Sequence, residues 1–295
     1  MDEPVVKNLL EAPRHAVDAF LQKYLEGLDL PPNLVEAMGY ALLGGGKRLR
    51  PVLCYWSAAA CSPEPDESVS GGAAVELVHA FSLVHDDLPA MDDDDLRRGK
   101  PSLHVHAGEA MAILAGDAML TLAFDLAATR SAPDPATRLA IVGELTAGTN
   151  AMIAGQVVDT LGGLDDAADD RARLEYIHHN KTGALLIAAA RIGVRTVGGS
   201  EKNLEAVTEY ARAVGLAFQI VDDLLDVTGS TEHIGKRTGK DEDAGKLTWP
   251  GVFGVDGSKK EVDRLVEVAV AAAAAFGEAG EPLAKLAVSM AKRTK

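Results

Sequence analysis

Residues 85–99 read HDDLPAMDDDDLRRG, and the interpretation of the chain starts from this stretch. Six aspartates fall within ten positions, and two arginines follow at once. A solvated acidic helix face usually mixes in lysine or glutamate, whereas this segment follows an apolar helix and contains Pro89, which ends or kinks that helix. Asp86 and Asp92 are six residues apart, so a straight helix would not align them, but an unwound helix end lets their carboxylates converge.

The aspartates and the arginines of this segment suit two different parts of one ligand. Convergent carboxylates suit a hard divalent cation such as Mg²⁺, which takes one or two of them together with phosphate oxygens. Arg97 and Arg98 supply forked donors, which a diphosphate needs beside that cation. Aspartates that can bind a metal, next to arginines that can bind an anion, favour a functional site over a solvated run of charged residues.

A second acidic segment, residues 218–226, reads FQIVDDLLD. Asp222 and Asp226 are four residues apart and share a helix face, and Gln219 lies one turn before Asp223. Like charges at this spacing destabilise an isolated helix, and a metal ion or a cationic partner would relieve them. The DDxxD pattern also occurs by chance in acidic helices, so it gains its weight from the first segment.

Composition predicts an all-α protein. The chain has 295 residues, of which 47% are apolar and only 4% aromatic, so the core must come mainly from alanine, leucine, valine and isoleucine at helical spacing. We find no fixed-period repeat and no linker, and predict one domain, residues 1–295. The predicted helices are Val5–Leu28, Asn33–Leu43, Pro51–Ala60, Gly71–Asp87, Glu109–Ala128, Thr137–Leu161, Arg173–Ile192, Asn203–Val227 and an Ala-rich terminal region.

Charge, cysteine content and hydropathy narrow the class of protein. The net charge of -15 argues against a nucleic-acid surface. Cys54 and Cys61 are too few for a disulfide framework or a zinc site, and fit a reducing compartment. The N-terminal residues do not read as a signal peptide, and the apolar stretch Val268–Phe276 is too short to span a membrane. We therefore expect a soluble cytoplasmic protein.

Together the two acidic segments resemble the aspartate-rich motifs of short-chain trans-polyprenyl diphosphate synthases. The bacterial farnesyl diphosphate synthase (geranyltranstransferase) type is nearest, because it shares the two-residue insertion in DDLPAMD. The resemblance spans about Met38 to Pro250. It implies an all-α helical bundle of the isoprenoid synthase type around a deep central cavity, a homodimer, and three Mg²⁺ ions, with Mn²⁺ as a substitute.

The resemblance also assigns residues to two diphosphates. Residues 45–51, GGKRLRP, form a glycine turn with basic residues before a helix start, which can bind an anion, although a basic helix terminus at the surface is the commoner reading in isolation. Isopentenyl diphosphate is assigned to Lys47, Arg50, His79 and Arg98. The allylic diphosphate is assigned to Arg97, Lys181, Thr182, Gln219, Lys236 and Lys246. The last two lysines lie on a glycine-rich loop suited to a lid.

The implied metal ligands are Asp86, Asp92 and Asp222, with Asp87 and Asp226 acting through water. The resemblance assigns catalysis to six residues: Asp86, Asp92, Arg97, Lys181, Asp222 and Lys236. Gln156 and Asp159, in GQVVD, match family positions near the cavity.

The implied reaction is ionisation of the allylic diphosphate, condensation with isopentenyl diphosphate, and proton elimination. Phe81 and Ser82 lie five and four residues before Asp86, roughly one helical turn away. In the family, an aromatic residue at the first of these positions acts as a floor for the growing chain. We therefore predict a farnesyl product made from dimethylallyl or geranyl diphosphate. Geranyl and geranylgeranyl diphosphate are the alternative products.

Other classes of protein share some of these features. A terpene cyclase would share the fold and a DDxxD motif, but would lack GGKRLRP. A non-catalytic acidic helical partner subunit tends to lose one aspartate motif, and this chain keeps both. A cation-binding protein would bind metal without turnover, and the EF-hand spacing that would support it is absent. Trp249 stands where relatives more often have tyrosine, and we expect little consequence.

Overall fold

A computed structural model describes residues 3–164, 169–228 and 247–291. Its helices are α1 (Glu3–Glu26), α2 (Pro32–Leu42), α3 (Leu49–Ala59), α4 (Val69–Asp86), α5 (Leu103–Ala107), α6 (Glu109–Arg130), α7 (Pro135–Leu161), α8 (Asp170–Ile177), α9 (Ala184–Thr196), α10 (Glu201–Thr228), α11 (Trp249–Ala273) and α12 (Glu281–Ala291). Short 3-10 turns occupy Pro65–Ser68 and Ala274–Gly280. The only strands in these ranges are β1 (Leu96–Arg97) and β2 (Lys100–Pro101), an antiparallel pair. The predicted all-α class is confirmed.

Several helices begin where the sequence supplies a cap. Asp134 accepts the backbone N–H of Thr137 at 2.8 Å at the start of α7, and Pro135 takes the first helical position. Asp169 accepts the N–H of Ala172 at the start of α8 in the same way. Such caps satisfy backbone donors that the helix itself leaves unpaired.

The helices enclose two apolar cores, with α9 between them. One core is built mainly from α1, α2, α4, α6 and α7, and the other from α8, α10, α11 and α12. Leu185 and Ala189 of α9 belong to the first core, whereas Leu186 and Ala190 belong to the second. Helix α9 is therefore apolar on both sides, which explains its scarcity of charged residues.

Small residues let α9 approach its neighbours closely. A Cβ atom at Gly193 would lie 2.0 Å from the carbonyl oxygen of Cys54 in α3. On another side of α9, a Cβ at Gly148 of α7 would lie 2.7 Å from the Cβ of Ala188. Glycine is required at both positions because any side chain would push the helices apart.

The structure corrects one predicted element. The single helix expected over residues 173–192 is interrupted by a π-helical turn, His178–Gly183, between α8 and α9. A π turn carries an extra residue, which redirects the side chains after it, and such turns occur frequently at functional sites.

Helix α6 is long and apolar enough to cross a membrane by length and composition alone. In the structure it packs against α4 and contributes Ala112, Ala115 and Met119 to the first core. With one face buried against the rest of the protein, α6 is arranged as a core helix.

Candidate diphosphate and metal site

The first acidic segment folds into a turn at the end of α4. The helix ends at Asp86, and the backbone N–H of Asp92 donates to the carbonyl oxygen of Asp86 at 2.9 Å. The N–H of Met91 donates to the carbonyl oxygen of Leu88 at 2.8 Å within the same turn. The unwinding predicted from Pro89 therefore occurs and brings Asp92 back beside Asp86.

Asp86 lies in a partly desolvated position among charges of both signs. Burial raises its pKa to about 6; the ammonium group of Lys181 opposes this rise, and the carboxylate of Asp92 adds to it. Asp86, Asp92 and Lys181 are thus close enough to interact electrostatically. A carboxyl group whose charge is disfavoured in this way gains from a bound cation.

Lys181 is held in place by α7. Its Nζ atom lies 2.6 Å from Oδ2 of Asp159. A Cβ atom at Gly155 would lie 2.2 Å from the backbone nitrogen of Lys181, so the glycine permits direct contact between α7 and the π turn. Asp159 therefore positions Lys181. On the same helix, Oε1 of Gln156 is buried without a hydrogen-bond partner among the described residues.

Arg97 is fixed by Asp87. Its Nε atom donates to both carboxylate oxygens of Asp87, at 3.0 and 3.1 Å, and its Nη2 also contacts Asp87. Asp87 is only 2% exposed, and burial raises its pKa, while the hydrogen bond from Arg97 opposes the rise. Asp87 thus orients the arginine that the family resemblance assigns to the allylic diphosphate.

Arg98 reaches the glycine turn from the β1–β2 hairpin. Arg98 and Gly99 form its two-residue loop, with φ angles of 54° and 76°, as in a type I′ turn. The guanidinium group donates to the carbonyl oxygen of Gly45, and a Cβ atom at Gly46 would lie 2.8 Å from its Cζ. The glycines of GGKRLRP therefore leave room for Arg98, and the two predicted diphosphate segments meet here.

Arg48, to which we assigned no role from the sequence, anchors the glycine turn. It is 4% exposed and donates to Asp18 at 2.7 Å, to Glu76 at 2.8 Å and to the carbonyl oxygen of Leu42 at 2.6 Å. Its φ of 51° is in the left-handed region, where a non-glycine residue is strained. Three hydrogen bonds to α1, α4 and α2 hold this conformation at the start of α3.

Arg50, His79 and Arg98 form a basic cluster. Burial lowers the pKa of His79 well below its ordinary value, and the charges of Arg50 and Arg98 lower it further, so the imidazole is neutral. Burial also lowers the pKa of Arg50 to about 10, Glu76 opposing and Arg98 adding to the shift. The Nε atom of Arg50 is buried without a partner among the described residues, as expected of a donor that awaits an anion. Lys47, the fourth residue assigned to isopentenyl diphosphate, is exposed.

The second acidic segment lies on α10 and contacts the π turn. The hydroxyl group of Thr182 donates to Oε1 of Gln219 at 2.9 Å, and Nε2 of Gln219 donates to Oδ1 of Asp223 at 3.1 Å. Asp222 and Asp226 are partly buried on the same helix. The predicted grouping of Thr182 with Gln219 is thus present in the structure.

Phe81 and Ser82 lie on α4 before Asp86. Phe81 is 8% exposed, and its ring and that of His85 form a T-shaped contact with 5.3 Å between ring centroids. His85 reaches α6, where its Nε2 lies 3.2 Å from the carbonyl oxygen of Ile113, and a Cβ at Gly116 would overlap its ring. The hydroxyl group of Ser82 donates within the helix to the carbonyl oxygen of His79 at 3.0 Å.

Two predicted ligands, Lys236 and Lys246, lie outside the described residues, as do the basic residues Lys292, Arg293 and Lys295 at the C-terminus.

The carboxylates fit magnesium bound together with a diphosphate. Within residues 3–164, 169–228 and 247–291, no cluster of three or more acidic, histidine or cysteine side chains is arranged around a metal position. Mg²⁺ does not require one, because it typically takes one or two carboxylates and completes its shell with water and phosphate oxygens. Asp86, with its raised pKa and Asp92 beside it, meets that requirement.

The site thus brings carboxylates and basic side chains together in an all-α bundle, an arrangement that can bind a metal ion and phosphate groups. The sequence profile of the polyprenyl synthetase family matches residues 31–279. The chain is 45% identical over 267 residues to geranylgeranyl pyrophosphate synthase 7, chloroplastic, of Arabidopsis thaliana, covering 89% of this chain and 77% of the relative. It is 44% identical to synthase 11 of that plant, covering 90% and 76% of the two chains.

Solved structures of similar enzymes also match this chain. The crystal structure of an FPP/GFPP synthase from Zymomonas mobilis superposes with a TM-score of 0.85 at 32% identity, covering 97% of this chain and 98% of that one. A geranyltransferase from Legionella pneumophila gives a TM-score of 0.85 at 31% identity, covering 99% and 98%. The chain belongs to the polyprenyl synthetase family and is a trans-prenyltransferase.

Proposed function

We propose that this protein condenses an allylic diphosphate with isopentenyl diphosphate, with Mg²⁺ as cofactor, and releases geranylgeranyl diphosphate as its main product. The observation that carries the two-substrate reaction is the pair of anion-binding groups in one site. One contains Arg50, His79 and Arg98, and the other is centred on Lys181 beside Asp86. A single diphosphate would need only one of them.

The group around Lys181 receives the allylic diphosphate. Lys181 and Arg97 offset the negative charge that grows on the diphosphate as its carbon–oxygen bond breaks. Both cations are preorganised, Lys181 by Asp159 and Arg97 by Asp87, so little reorientation is needed during the reaction. Asp86, Asp92 and Asp222 would hold Mg²⁺, which would supply further charge neutralisation to the same diphosphate. The assignment of Lys236 and Lys246 to this diphosphate stays a prediction from the family resemblance.

The basic cluster receives isopentenyl diphosphate. Its donors are Lys47, Arg50 and Arg98, with His79 as a neutral hydrogen-bonding partner. The double bond of this substrate then attacks the allylic cation, and a proton leaves the adduct. The diphosphate released in the first step takes up that proton, so the chain needs no side-chain base. Water would quench the cation, so the reaction requires a site from which water is excluded.

Two observations bear on chain length. The relatives at 45% and 44% identity are geranylgeranyl synthases, and this supports a C20 product. Phe81, buried one helical turn from Asp86, supports the C15 product predicted from the sequence, because its ring would limit the length of the chain beneath the site. Farnesyl diphosphate is therefore the second candidate.

The experiment is incubation of the purified protein with Mg²⁺, isopentenyl diphosphate and either dimethylallyl, geranyl or farnesyl diphosphate, followed by chromatography of the dephosphorylated products. A C20 product from all three primers supports the first candidate. Accumulation of C15 and failure to extend farnesyl diphosphate would support the second. Absence of any magnesium-dependent product would refute the proposed magnesium-dependent condensation.

The same assay tests Phe81 directly. Replacing Phe81 by alanine opens space beneath the site, and the product should lengthen by at least one five-carbon unit relative to wild type. The matched control is Phe20→Ala, a partly buried aromatic residue of α1 at the edge of the first core. It should leave the product length unchanged. An unchanged product from Phe81→Ala would show that Phe81 is not a floor.

We also propose that the protein works as a homodimer in the cytoplasm. Exposed apolar side chains on α6 and α7 support a partner surface: Ile113, Leu114, Ile153 and Val157 are 43%, 58%, 43% and 46% exposed. The free thiols of Cys54 and Cys61 fit a reducing compartment. Light scattering after size-exclusion chromatography tests the dimer, and a monomer at micromolar concentration would contradict it. Microscopy of the tagged protein tests the location.

A further inference from the structure

Two neighbouring pairs of side chains join the π turn to α10. Thr182 donates to Gln219 at 2.9 Å, and Nε2 of His178 lies 3.5 Å from Oδ2 of Asp223. His178 and Thr182 are four residues apart on one segment, and Gln219 and Asp223 are four apart on the other. The segments therefore meet face to face over one helical turn.

Asp223 links this face to a third segment. Its Oδ1 accepts from Gln219 at 3.1 Å, and its Oδ2 accepts the backbone N–H of Trp249 at 2.9 Å. Asp223 and Trp249 are each 4% exposed. Trp249 is the first residue of α11, so one buried carboxylate connects α10 to the start of α11.

Aromatic rings also pack together where the π turn meets the start of α11. The rings of His178 and Trp249 stack at 6.0 Å between centroids with 23° between their planes, and Trp249 also packs on Phe253 at 4.7 Å. Trp249, which the sequence suggested was of little consequence, thus forms one wall of this network. Burial lowers the pKa of His178 to about 4, so its ring stays neutral at physiological pH.

Asp223 determines which atoms of its neighbours donate hydrogen bonds and which accept them. A carboxylate only accepts hydrogen bonds, so Gln219 must turn its amide NH₂ group toward Asp223 and its oxygen toward Thr182. A diphosphate likewise only accepts, and it binds best where donors are already in place. We propose that Asp223 is a positioning residue: by accepting one amide N–H of Gln219, it fixes the other N–H of that amide as a donor for the allylic diphosphate, without contacting the substrate itself. This inference rests on the proposed function.

The substitution Asp223→Asn separates positioning from structure. The asparagine oxygen can still accept from Trp249, but its NH₂ group then faces Gln219. The Gln219 amide must flip, so its donors and its oxygen exchange places while the number of hydrogen bonds is kept. We therefore expect a folded protein whose donors no longer match the diphosphate.

The first measurement compares Michaelis constants and melting temperatures. In Asp223→Asn the KM for the allylic diphosphate should rise about tenfold, the effect of one misplaced charge-assisted hydrogen bond, whereas the KM for isopentenyl diphosphate stays within about twofold. The matched control is Glu209→Gln, which removes an exposed carboxylate from the same helix and should change neither constant more than about twofold. An equal rise in both KM values, or loss of folded protein in Asp223→Asn, would overturn the proposal.

The second measurement is calorimetric binding of inorganic pyrophosphate in the presence of Mg²⁺, which requires no turnover. Asp223→Asn should weaken binding about tenfold in the wild-type background but have little effect in a Gln219→Leu background, because it acts through Gln219. A full effect in the Gln219→Leu background, or unchanged binding in Asp223→Asn, would overturn the proposal. A wild-type protein that binds pyrophosphate but forms no product would contradict the proposed function alone. A wild-type protein that binds none would contradict both.

Discussion

Replacing Asp86 by asparagine should make the metal-free protein more stable at neutral pH, although it removes a proposed metal ligand. The carboxyl group lies in a position where burial disfavours its charged form, and its pKa is raised from 3.8 to about 6. An asparagine of nearly the same shape carries no charge, so it avoids this penalty. Function and stability are therefore opposed at this position.

The raised pKa sets the size and the sign of the effect. Roughly two pKa units at 1.36 kcal/mol each give an upper limit of about 3 kcal/mol, and we expect a gain of about 1–3 kcal/mol in the free energy of unfolding. The folded protein binds this proton more tightly than the unfolded chain does. The stabilisation by the proton is thus complete below about pH 4 and is lost as the pH rises through about 6. The advantage of the variant should be absent near pH 4 and full above pH 7.

Urea denaturation in the presence of EDTA, at pH values between 4 and 8, measures this difference. Asp29→Asn, at an exposed position in the turn after α1, is the matched control and should follow wild type throughout. Addition of Mg²⁺ with pyrophosphate should then stabilise wild type more than Asp86→Asn, because a ligand stabilises the state that binds it. Turnover by the variant should fall to near the background.

Two results would refute this reasoning. A variant less stable than wild type at pH 7.5 would show that the attraction of Lys181 and Arg97 exceeds the penalty of burial. A stability difference that does not change between pH 4 and pH 8 would show that the carboxyl group does not titrate with a raised pKa.

Two further predictions concern the packing around the site. Gly155→Ala should cost at least about 2 kcal/mol of unfolding free energy and lower turnover, because its Cβ would lie 2.2 Å from the backbone of Lys181. Gly143→Ala on the same helix has open space and should stabilise by about 0.5–1 kcal/mol, and a similar loss from both variants would contradict the clash. The carboxylate of Glu144 pairs with both Arg191 and Arg195 of α9, each at 2.7 Å. Glu144→Leu leaves these partly buried arginines without their shared carboxylate and should cost about 3 kcal/mol of unfolding free energy in urea denaturation. Glu175→Leu removes the exposed ion pair with Arg171 and should cost much less unfolding free energy. An equal loss from the two variants would show that the Glu144 pairs are no stronger than surface pairs.

The helices and the acidic turn could be predicted because local sequence determines them. Apolar spacing locates the long helices, and their observed ends lie within a few residues of the predicted ones. Pro89 follows an apolar run and precedes four aspartates, and helix termination there is a consequence of proline geometry. The convergence of Asp86 and Asp92 then follows from the turn itself.

The π turn and the left-handed arginines could not be predicted in this way. The apolar spacing near Lys181 indicates a continuous helix and does not distinguish an α-helix from a π turn, and the close approach of Gly155 on α7 to this turn is a tertiary contact that the local pattern does not contain. Arg48 and Arg98 have positive φ angles, which the intrinsic preference of arginine opposes. Hydrogen bonds to distant segments hold Arg48, and the hairpin turn together with the hydrogen bond to Gly45 holds Arg98.

Asp223 shows the same limit at the site itself. The sequence places it beside Gln219, and this contact is present. Its second partner is the backbone of Trp249, 26 residues later, and nothing in the local pattern indicates that pair. A motif identifies which carboxylates matter, but the division between ligand-binding and positioning roles depends on tertiary contacts.

The position of α9 between the two cores has a consequence for how the protein opens. Backbone amides exchange with solvent only when the hydrogen-bonded helix around them is uncovered, and neither core can separate from the other without uncovering α9. Its amides are therefore expected to be among the last to exchange, and proteases should find no intermediate in which one core survives alone. The acidic turn after α4 and the glycine turn before α3 lie at the ends of helices, so they can fray and reclose while this central helix stays protected.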